Sequence, residues 1–211
     1  MGESEEMRVT CYVARIVELP IDWERSSALV APRYQKRARG KAPLRVRQGG
    51  LLAGLMLRRV LGVTHDDDLV VGEQGKLSLA RGGPHFCLSH GDDIAVLGVA
   101  AHELGVDVER MPERYGHVER DALRYVLSDE QLAAVDGAHD PARAFVRAWT
   151  RMEAVLKADG RGLSYPVRGG HLPAGWRVSF VEFEGYGISC ATHGKPIVDL
   201  CPLDVGLLLE P

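Results

Sequence analysis

The sequence predicts an α+β protein, because each half of its 211 residues combines a long helical segment with several short strand-like runs. Apolar residues recur at helical spacing over residues 43–61 and again over residues 141–158. Runs of apolar and β-branched residues, separated by turn residues, predict the strands. The predicted strands are residues 8–17, 69–71, 76–80, 85–90, 94–101, 104–109, 176–184 and 187–192.

The two long helices have clear boundary signals. Asp140 before Pro141 is a typical helix start, since the aspartate can cap the first turn and proline fits the first helical position. Gly160 and Gly62 are predicted to end the two helices. Gly49-Gly50 is expected to weaken or delay the start of the first one. The second helix has an apolar stripe formed by Phe145, Trp149, Met152 and Leu156.

A further helical pattern covers residues 118–136. Ser128 and Gln131 match a capping box in the middle of this range. Beyond the last predicted strand, the sequence ends in a mixed tail that includes Val205–Leu209.

The composition is that of a soluble globular protein, with 45% hydrophobic and 26% charged residues. No run approaches the ~18 consecutive apolar residues that a membrane span needs, and the acidic first residues do not resemble a secretory signal. The four cysteines, at positions 11, 87, 190 and 201, lack the close spacing of a zinc site or a disulfide framework. They are interpreted as reduced and mostly buried, which predicts a cytoplasmic protein.

The charge is strongly segregated along the chain. Between Arg25 and His65 there are ten lysines and arginines and no Asp or Glu, whereas the whole chain has a net charge of −3. Two interpretations remain open: a binding region for a polyanion, or a solvated basic face. Tyr34 is the only aromatic residue in this segment, so a nucleic-acid role is not expected.

Asp107 and Glu109 form the first candidate site. On a strand, alternate side chains share a face, so these two carboxylates point one way while Val106 and Val108 point the other way. Two neighbouring carboxylates repel each other unless a cation lies between them. A half-exposed strand with a polar outer face is the alternative for this segment alone.

Glu153 and Lys157 form the second candidate site. They are four residues apart on the second long helix and therefore lie on one face of it. Such a pair usually forms a surface salt bridge of small energetic value. That interpretation does not explain Trp149 one turn earlier or the glycine-rich exit that begins at Gly160.

Ser89 and His90 form the third candidate site, at the end of an apolar strand and before Gly91. Adjacency in sequence does not make them a nucleophile and its base. A serine and a histidine at a strand end are better suited to donating hydrogen bonds to an anion. A simple turn is the alternative.

The three sites in this order resemble the Sfp-type 4′-phosphopantetheinyl transferases. The resemblance rests on S-H-G-D at residues 89–92, G-V-D-V-E at 105–109 and W-T-R-M-E-A-V-L-K-A-D-G-R-G-L at 149–163, and it covers roughly residues 43–165. It implies a pseudo-dimer of two similar α+β halves, residues 1–103 and 104–211, with coenzyme A in the cleft between them. The N-terminal half would contact the coenzyme A phosphates, and the C-terminal half would carry the metal ligands and the catalytic helix.

The resemblance also implies individual roles. Asp107, Glu109 and Glu153 would bind Mg²⁺, and Asp107, Glu153 and Lys157 would be catalytic. The residues implied to bind coenzyme A are Arg45, Arg47, Lys76, Ser89, His90 and Lys157. The family's basic residue near Arg45 and Arg47 is replaced here by Gly49-Gly50, and Lys76 lies in a G-K turn that has lost the family's proline.

The implied reaction is attack by a serine hydroxyl of an apo acyl or peptidyl carrier protein on coenzyme A, with release of 3′,5′-ADP. The family usually has lysine at the position of Met152, which removes one expected phosphate contact. Two other functions remain open: a metal-dependent nucleotide pyrophosphatase and a coenzyme A-binding module without turnover. The chain is expected to act as a monomer, without a membrane or nucleic-acid partner.

Overall fold

The structure is a computed structural model that describes residues 5–16, 22–162, 165–167 and 169–210. It has the predicted mixed α+β architecture. Its strands are β1 (Glu6–Arg15), β2 (Leu69–Val71), β3 (Leu77–Leu79), β4 (His85–Gly91), β5 (Ile94–Ala100), β6 (Gly105–Arg110), β7 (Arg177–Phe183), β8 (Tyr186–Thr192) and β9 (Lys195–Pro202). Its α-helices are α1 (Trp23–Ala28), α2 (Pro32–Arg39), α3 (Leu44–Leu61), α4 (His117–Arg124), α5 (Asp129–Asp136), α6 (Pro141–Asp159) and α7 (Val205–Leu208).

The strands form three sheets. The largest has the order β4-β5-β1-β9, the second is the antiparallel sheet β6-β8-β7, and β2 and β3 form a small hairpin. In the largest sheet β1 is antiparallel to β5 and parallel to β9. The eight predicted strands are confirmed within the described residues; Val17, the last residue of the first prediction, lies outside them.

Strand β9 is missing from the sequence-based prediction. It contains Pro196 and Pro202, and proline is unusual in a strand because it cannot donate a hydrogen bond to a neighbouring strand. The structure places β9 at the edge of the four-stranded sheet, where proline is tolerated. Because β9 joins the sheet of β1, a segment late in the chain completes the sheet of the N-terminal half. The division of the chain into two halves after residue 103 stays a prediction.

Helix α3 covers one face of the four-stranded sheet. It begins at Leu44, before the two glycines, so the expected delay of its start at Gly49-Gly50 is wrong. The apolar residues that follow, among them Leu52 and Leu55, are fully buried and stabilise the helix by packing. Gly62 ends the helix in a left-handed conformation with φ of 67°, as predicted.

The other face of this sheet packs against the β6-β8-β7 sheet. Val9, Val96, Val106 and Ile188 are fully buried in the layer between the two sheets. Helix α6 lies on the opposite side of the second sheet, against β6 and β8. Asp140 caps this helix by accepting from Arg143 N at 3.0 Å.

Gly105, the first residue of β6, allows the close approach of α6. A Cβ atom at this position would overlap the carbonyl oxygen of Ala154 and the backbone nitrogen of Ala158. The glycine of the G-V-D-V-E motif is therefore required by packing, since any side chain would push the helix away from the strand.

The smaller predicted features agree with the structure. Residues 118–136 form the two helices α4 and α5, and Ser128 and Gln131 form the capping box of the second. All four cysteines are free, with Cys11 and Cys190 buried and Cys87 and Cys201 partly buried. None of the helices in the described ranges combines the length and apolar character of a membrane span.

Candidate active site

Three elements bring three of the predicted residues together: Ser89 from β4, Asp107 from β6 and Lys157 from α6. The Lys157 ammonium group donates to Asp107 Oδ1 at 2.6 Å and to Ser89 Oγ at 2.9 Å. The Ser89 hydroxyl group in turn donates to Asp107 Oδ1 at 2.9 Å. Because these residues are up to 68 positions apart in sequence, the fold assembles the cluster.

Asp107 is the most buried member of this cluster, with 5% of its side chain exposed against 31% for Lys157. Its second oxygen, Oδ2, is buried and has no hydrogen-bond partner within the described part of the chain. A buried carboxylate oxygen without a partner is costly. The Oδ2 atom of Asp107 is therefore available to a ligand.

The charges of the cluster influence one another. Burial raises the pKa of Asp107, although the nearby Lys157 ammonium group and the hydrogen bonds from Lys157 and Ser89 oppose this increase. Burial is the largest influence on Lys157 and acts to lower its pKa, but the charge of Asp107, the charges of Cys87 and Glu153 and the hydrogen bond to Asp107 together raise the pKa of Lys157. Lys157 therefore remains an ammonium group at neutral pH.

The other two predicted metal ligands belong to the same electrostatic environment. Burial, followed by the negative charge of Asp107, raises the pKa of Glu109 to about 7. The same two causes, in the same order, raise the pKa of Glu153. The charge of Asp107 thus raises the proton affinity of both glutamates, which places the three carboxylates in one acidic environment.

The donor set suits Mg²⁺, which prefers carboxylate oxygens, and the unpartnered Asp107 Oδ2 fits such a ligand. The side chains are nevertheless not preassembled. In the described ranges, no three Asp, Glu, His or Cys side chains converge as a metal site. Lys157 instead provides the positive charge nearest to Asp107.

A cavity of about 230 Å³ lies beside the cluster, between the β3–β4 region and the end of α6. Lys76 and Lys157 provide positive charge in its lining, and Cys87 and Leu156 provide apolar surface. Lys76 donates to the carbonyl oxygen of Ala158 and is thereby held near the C-terminus of α6. Cys87 is a lining residue that the sequence did not single out, because only the packing of β4 against the end of α6 brings it to the cavity.

The remaining predicted contacts are not part of the cluster. His90 is exposed and, by strand alternation, lies on the face of β4 opposite to Ser89. Arg45 and Arg47 are not among the residues described as lining the cavity. Met152 is 3% exposed, so it belongs to the buried surface of α6.

The sequence also gave no indication of an ion-pair network at the turn after β4. Asp93 accepts from Arg110 Nη2 at 2.9 Å and from the hydroxyl group of the buried Tyr186. Arg110 also pairs with Asp92 at 2.9 Å. Since Arg110 follows Glu109 directly, this network fixes the end of β6 against the turn that follows Ser89 and His90.

The chain is similar in sequence to known proteins. The profile of the 4′-phosphopantetheinyl transferase superfamily matches residues 103–198. The 4′-phosphopantetheinyl transferase AcpT of Escherichia coli K12 is 36% identical over 140 residues, which are 64% of this chain and 69% of that protein. AcpT of Salmonella typhimurium LT2 is 35% identical over 123 residues, 57% of this chain and 63% of that protein.

A third relative extends the comparison over more of the chain. The 4′-phosphopantetheinyl transferase gsp of Aneurinibacillus migulanus is 23% identical over 168 residues, 72% of this chain and 70% of that protein. The chain spans 63% of the length of AcpT from Salmonella typhimurium and also 63% of AcpT from Salmonella typhi, which is less than two thirds of each protein. The chain belongs to the 4′-phosphopantetheinyl transferase superfamily, as the sequence motifs predicted.

Proposed function

We propose that this chain transfers the 4′-phosphopantetheine arm of coenzyme A to a serine of an apo acyl or peptidyl carrier protein and releases 3′,5′-ADP. The buried cluster of Ser89, Asp107 and Lys157 beside a cavity with cationic lining is the observation that carries the proposal. Membership of the superfamily supports the reaction class.

Lys157 is proposed to stabilise the pyrophosphate of coenzyme A. Its ammonium group has a raised pKa and lines the cavity next to Lys76. A positive charge near a departing phosphate lowers the energy of the transition state more than that of the bound substrate. Ser89 and His90 are proposed as further phosphate contacts, and Arg45 or Arg47 as the contact of the 3′-phosphate.

Asp107, Glu109 and Glu153 are proposed to hold Mg²⁺. The ion would take the free Asp107 Oδ2, and it would offset the repulsion by which Asp107 raises the pKa of Glu109 and of Glu153. Bound Mg²⁺ supplies positive charge that offsets the charge of the pyrophosphate.

Glu153 is proposed to accept the proton of the attacking serine hydroxyl group. It lies on α6 one turn before Lys157, and its pKa is raised by burial and by Asp107. A carboxylate with a raised pKa is a better proton acceptor than an ordinary one. In this arrangement one helix carries both the proton acceptor and the cation that stabilises the leaving group.

The carrier is proposed to contact the region of residues 112–127, between the two carboxylate motifs. Arg120 is paired with Asp136 at 2.9 Å, and Arg124 lies 3.9 Å from Asp121. Arg114 has no ion pair within the described part of the chain and is therefore the arginine most available to an acidic carrier. The chain is proposed to act as a cytoplasmic monomer.

The decisive experiment is the intact mass of an apo acyl carrier protein after incubation with this protein, coenzyme A and Mg²⁺. Transfer predicts a gain of about 340 Da, the mass of the phosphopantetheine arm carried by the cofactor. Hydrolysis of coenzyme A without this gain would instead support a pyrophosphatase. Binding of coenzyme A without either product would support a module that lacks turnover.

A further inference from the structure

A second cationic cavity lies on the other flank of α6. It has a volume of about 600 Å³, and its positive charges are Arg147 and Arg151 of α6, Arg177 of β7 and Lys195 of β9. No carboxylate is among the described residues that line it. Strands β6 and β7 are the two edges of the three-stranded sheet, so this cavity and the Asp107 cluster lie at opposite edges.

The charges in this cavity are largely uncompensated. Within the described ranges, Arg147, Arg151 and Arg177 form no ion pair with a carboxylate. Lys195 lies 3.5 Å from Glu6, but both side chains are more than half exposed, which makes this a weak contact. By contrast, Arg143, one turn before Arg147, is paired with Glu182 outside the cavity.

Four like charges around one concave surface repel one another, and a concave surface lined by one sign of charge concentrates ions of the opposite sign. Three of the four are arginines, whose planar groups bind phosphate or carboxylate through two parallel hydrogen bonds. Trp176 forms part of the wall, stacked on His193 with ring centroids 4.0 Å apart. The volume lies within the range of about 300–1,000 Å³ typical of small-molecule sites.

We propose that this cavity is a second polyanion site that binds a small diphosphate, either free or as part of a nucleoside diphosphate. The concave shape and the arginine groups favour such a ligand over the acidic surface of a protein, which would rest on a flatter patch. The site goes beyond the proposed transfer reaction, because none of its four cations belongs to the Asp107 cluster.

The test is a titration of the ¹⁵N-labelled protein with inorganic pyrophosphate and, separately, with ADP, at constant ionic strength and without divalent metal. The indole N–H resonance of Trp176, assigned with Trp176→Phe, reports on this cavity. The expected result is a saturable shift of that resonance. A larger affinity for ADP than for pyrophosphate would identify a nucleotide, and equal affinities would identify the diphosphate alone; both support the site.

Matched variants locate the binding. The double variant Arg147→Gln/Arg151→Gln should raise the dissociation constant at least tenfold, which is about 1.4 kcal/mol of binding free energy. The control variant Arg143→Gln, on the same helix, should change the dissociation constant less than twofold. Lys157→Gln should leave the Trp176 shift intact, which separates this site from the proposed catalytic one. Arg177→Gln provides a second test on a strand if the double variant is unstable.

Any of the following results would overturn the proposal: no saturable Trp176 shift, the same shift in Arg147→Gln/Arg151→Gln as in the unaltered chain, or an equal response to sulfate. A response to poly-glutamate but not to either diphosphate would also overturn it and would assign the surface to an acidic protein.

Discussion

The hydroxyl groups of Thr150 and Ser189 lie 2.7 Å apart in the buried contact between α6 and β8. Thr150 donates its own proton to the carbonyl oxygen of Val146, so Ser189 is the donor between the two hydroxyl groups. Ser189 is paired with Asp107 across β6 and β8. This bond therefore fixes the helix of Glu153 and Lys157 over the strand of Asp107.

We expect Thr150→Val to lower the free energy of unfolding by about 1–3 kcal/mol, because the buried Ser189 hydroxyl group would lose its acceptor. Adding Ser189→Ala should restore part of this loss, since the unpaired donor is then removed. Urea denaturation of the two variants, with Thr150→Ser as the conservative control, measures the effect. A double variant less stable than Thr150→Val would contradict the assignment.

Replacement of two glycines is expected to have opposite effects. Gly105→Ala should strongly destabilise the chain and reduce transfer, because the new Cβ atom would overlap the backbone of α6. At Gly49 in α3 a Cβ atom would only contact Ile16 at 3.7 Å, and alanine favours the helix by about 1 kcal/mol over glycine. Thermal unfolding should therefore show a lower Tm for the first variant and an unchanged or higher Tm for the second.

Removal of a proposed metal ligand should reduce transfer by at least about 100-fold with little change in fold, since each carboxylate is a hard ligand of the ion that offsets the pyrophosphate charge. The variants are Asp107→Asn, Glu109→Gln and Glu153→Gln, with the exposed Glu113→Gln as the control. Carrier modification under saturating Mg²⁺ is the measurement. Near-normal rates for the variants of Asp107 and Glu153 would show that the site lies elsewhere.

The basic segment can be tested with dephospho-coenzyme A, which lacks the 3′-phosphate. If Arg45 or Arg47 binds that phosphate, KM should rise more than kcat falls, because a remote contact is present in both the ground and the transition state. Arg45→Gln and Arg47→Gln should reduce the difference between the two substrates. Equal KM values in the unaltered chain would assign the positive charges to another partner, such as the carrier.

Met152 provides a test of the departure from the family pattern. Because its side chain is buried in α6, with 3% exposed, a lysine there must extend its ammonium group outward along the helix. We expect Met152→Lys to lower KM for coenzyme A no more than about threefold, well below the ~1.4 kcal/mol of a tenfold change. Met152→Leu controls for packing. A tenfold improvement at unchanged Tm would show that the chain works without the phosphate contact that the family pattern implies at this position.

The sequence predicted most of the secondary structure, because the decisive signals are local. Asp140, Pro141 and Gly160 set the ends of α6 through its terminal backbone groups. Strand β9 escaped prediction because its prolines are acceptable only at a sheet edge, and no local pattern reveals an edge. The motifs also identified Ser89, Asp107 and Lys157, but their contact depends on how β4, β6 and α6 pack.

The part of the site that could not be predicted depends on burial and on distant neighbours. The raised pKa of Glu109 arises first from burial and then from Asp107, and burial is a property of the packed fold. The Asp93–Arg110–Tyr186 network joins three segments separated by up to 93 positions. For Met152, by contrast, a local pattern was sufficient: its helical spacing alone predicted that it belongs to the buried stripe of α6.

The parallel pairing of β1 with β9 has a consequence for synthesis on the ribosome. Glu6 is paired with Lys195 and Val13 with Pro202, so β1 is synthesised long before its second neighbour, β9, exists. Until then one edge of β1 exposes unpaired backbone groups, which can recruit strands from other nascent chains. Contacts this distant in sequence also slow folding. A chaperone that shields β1 during translation would therefore increase the yield of folded protein more than one that acts on the completed chain.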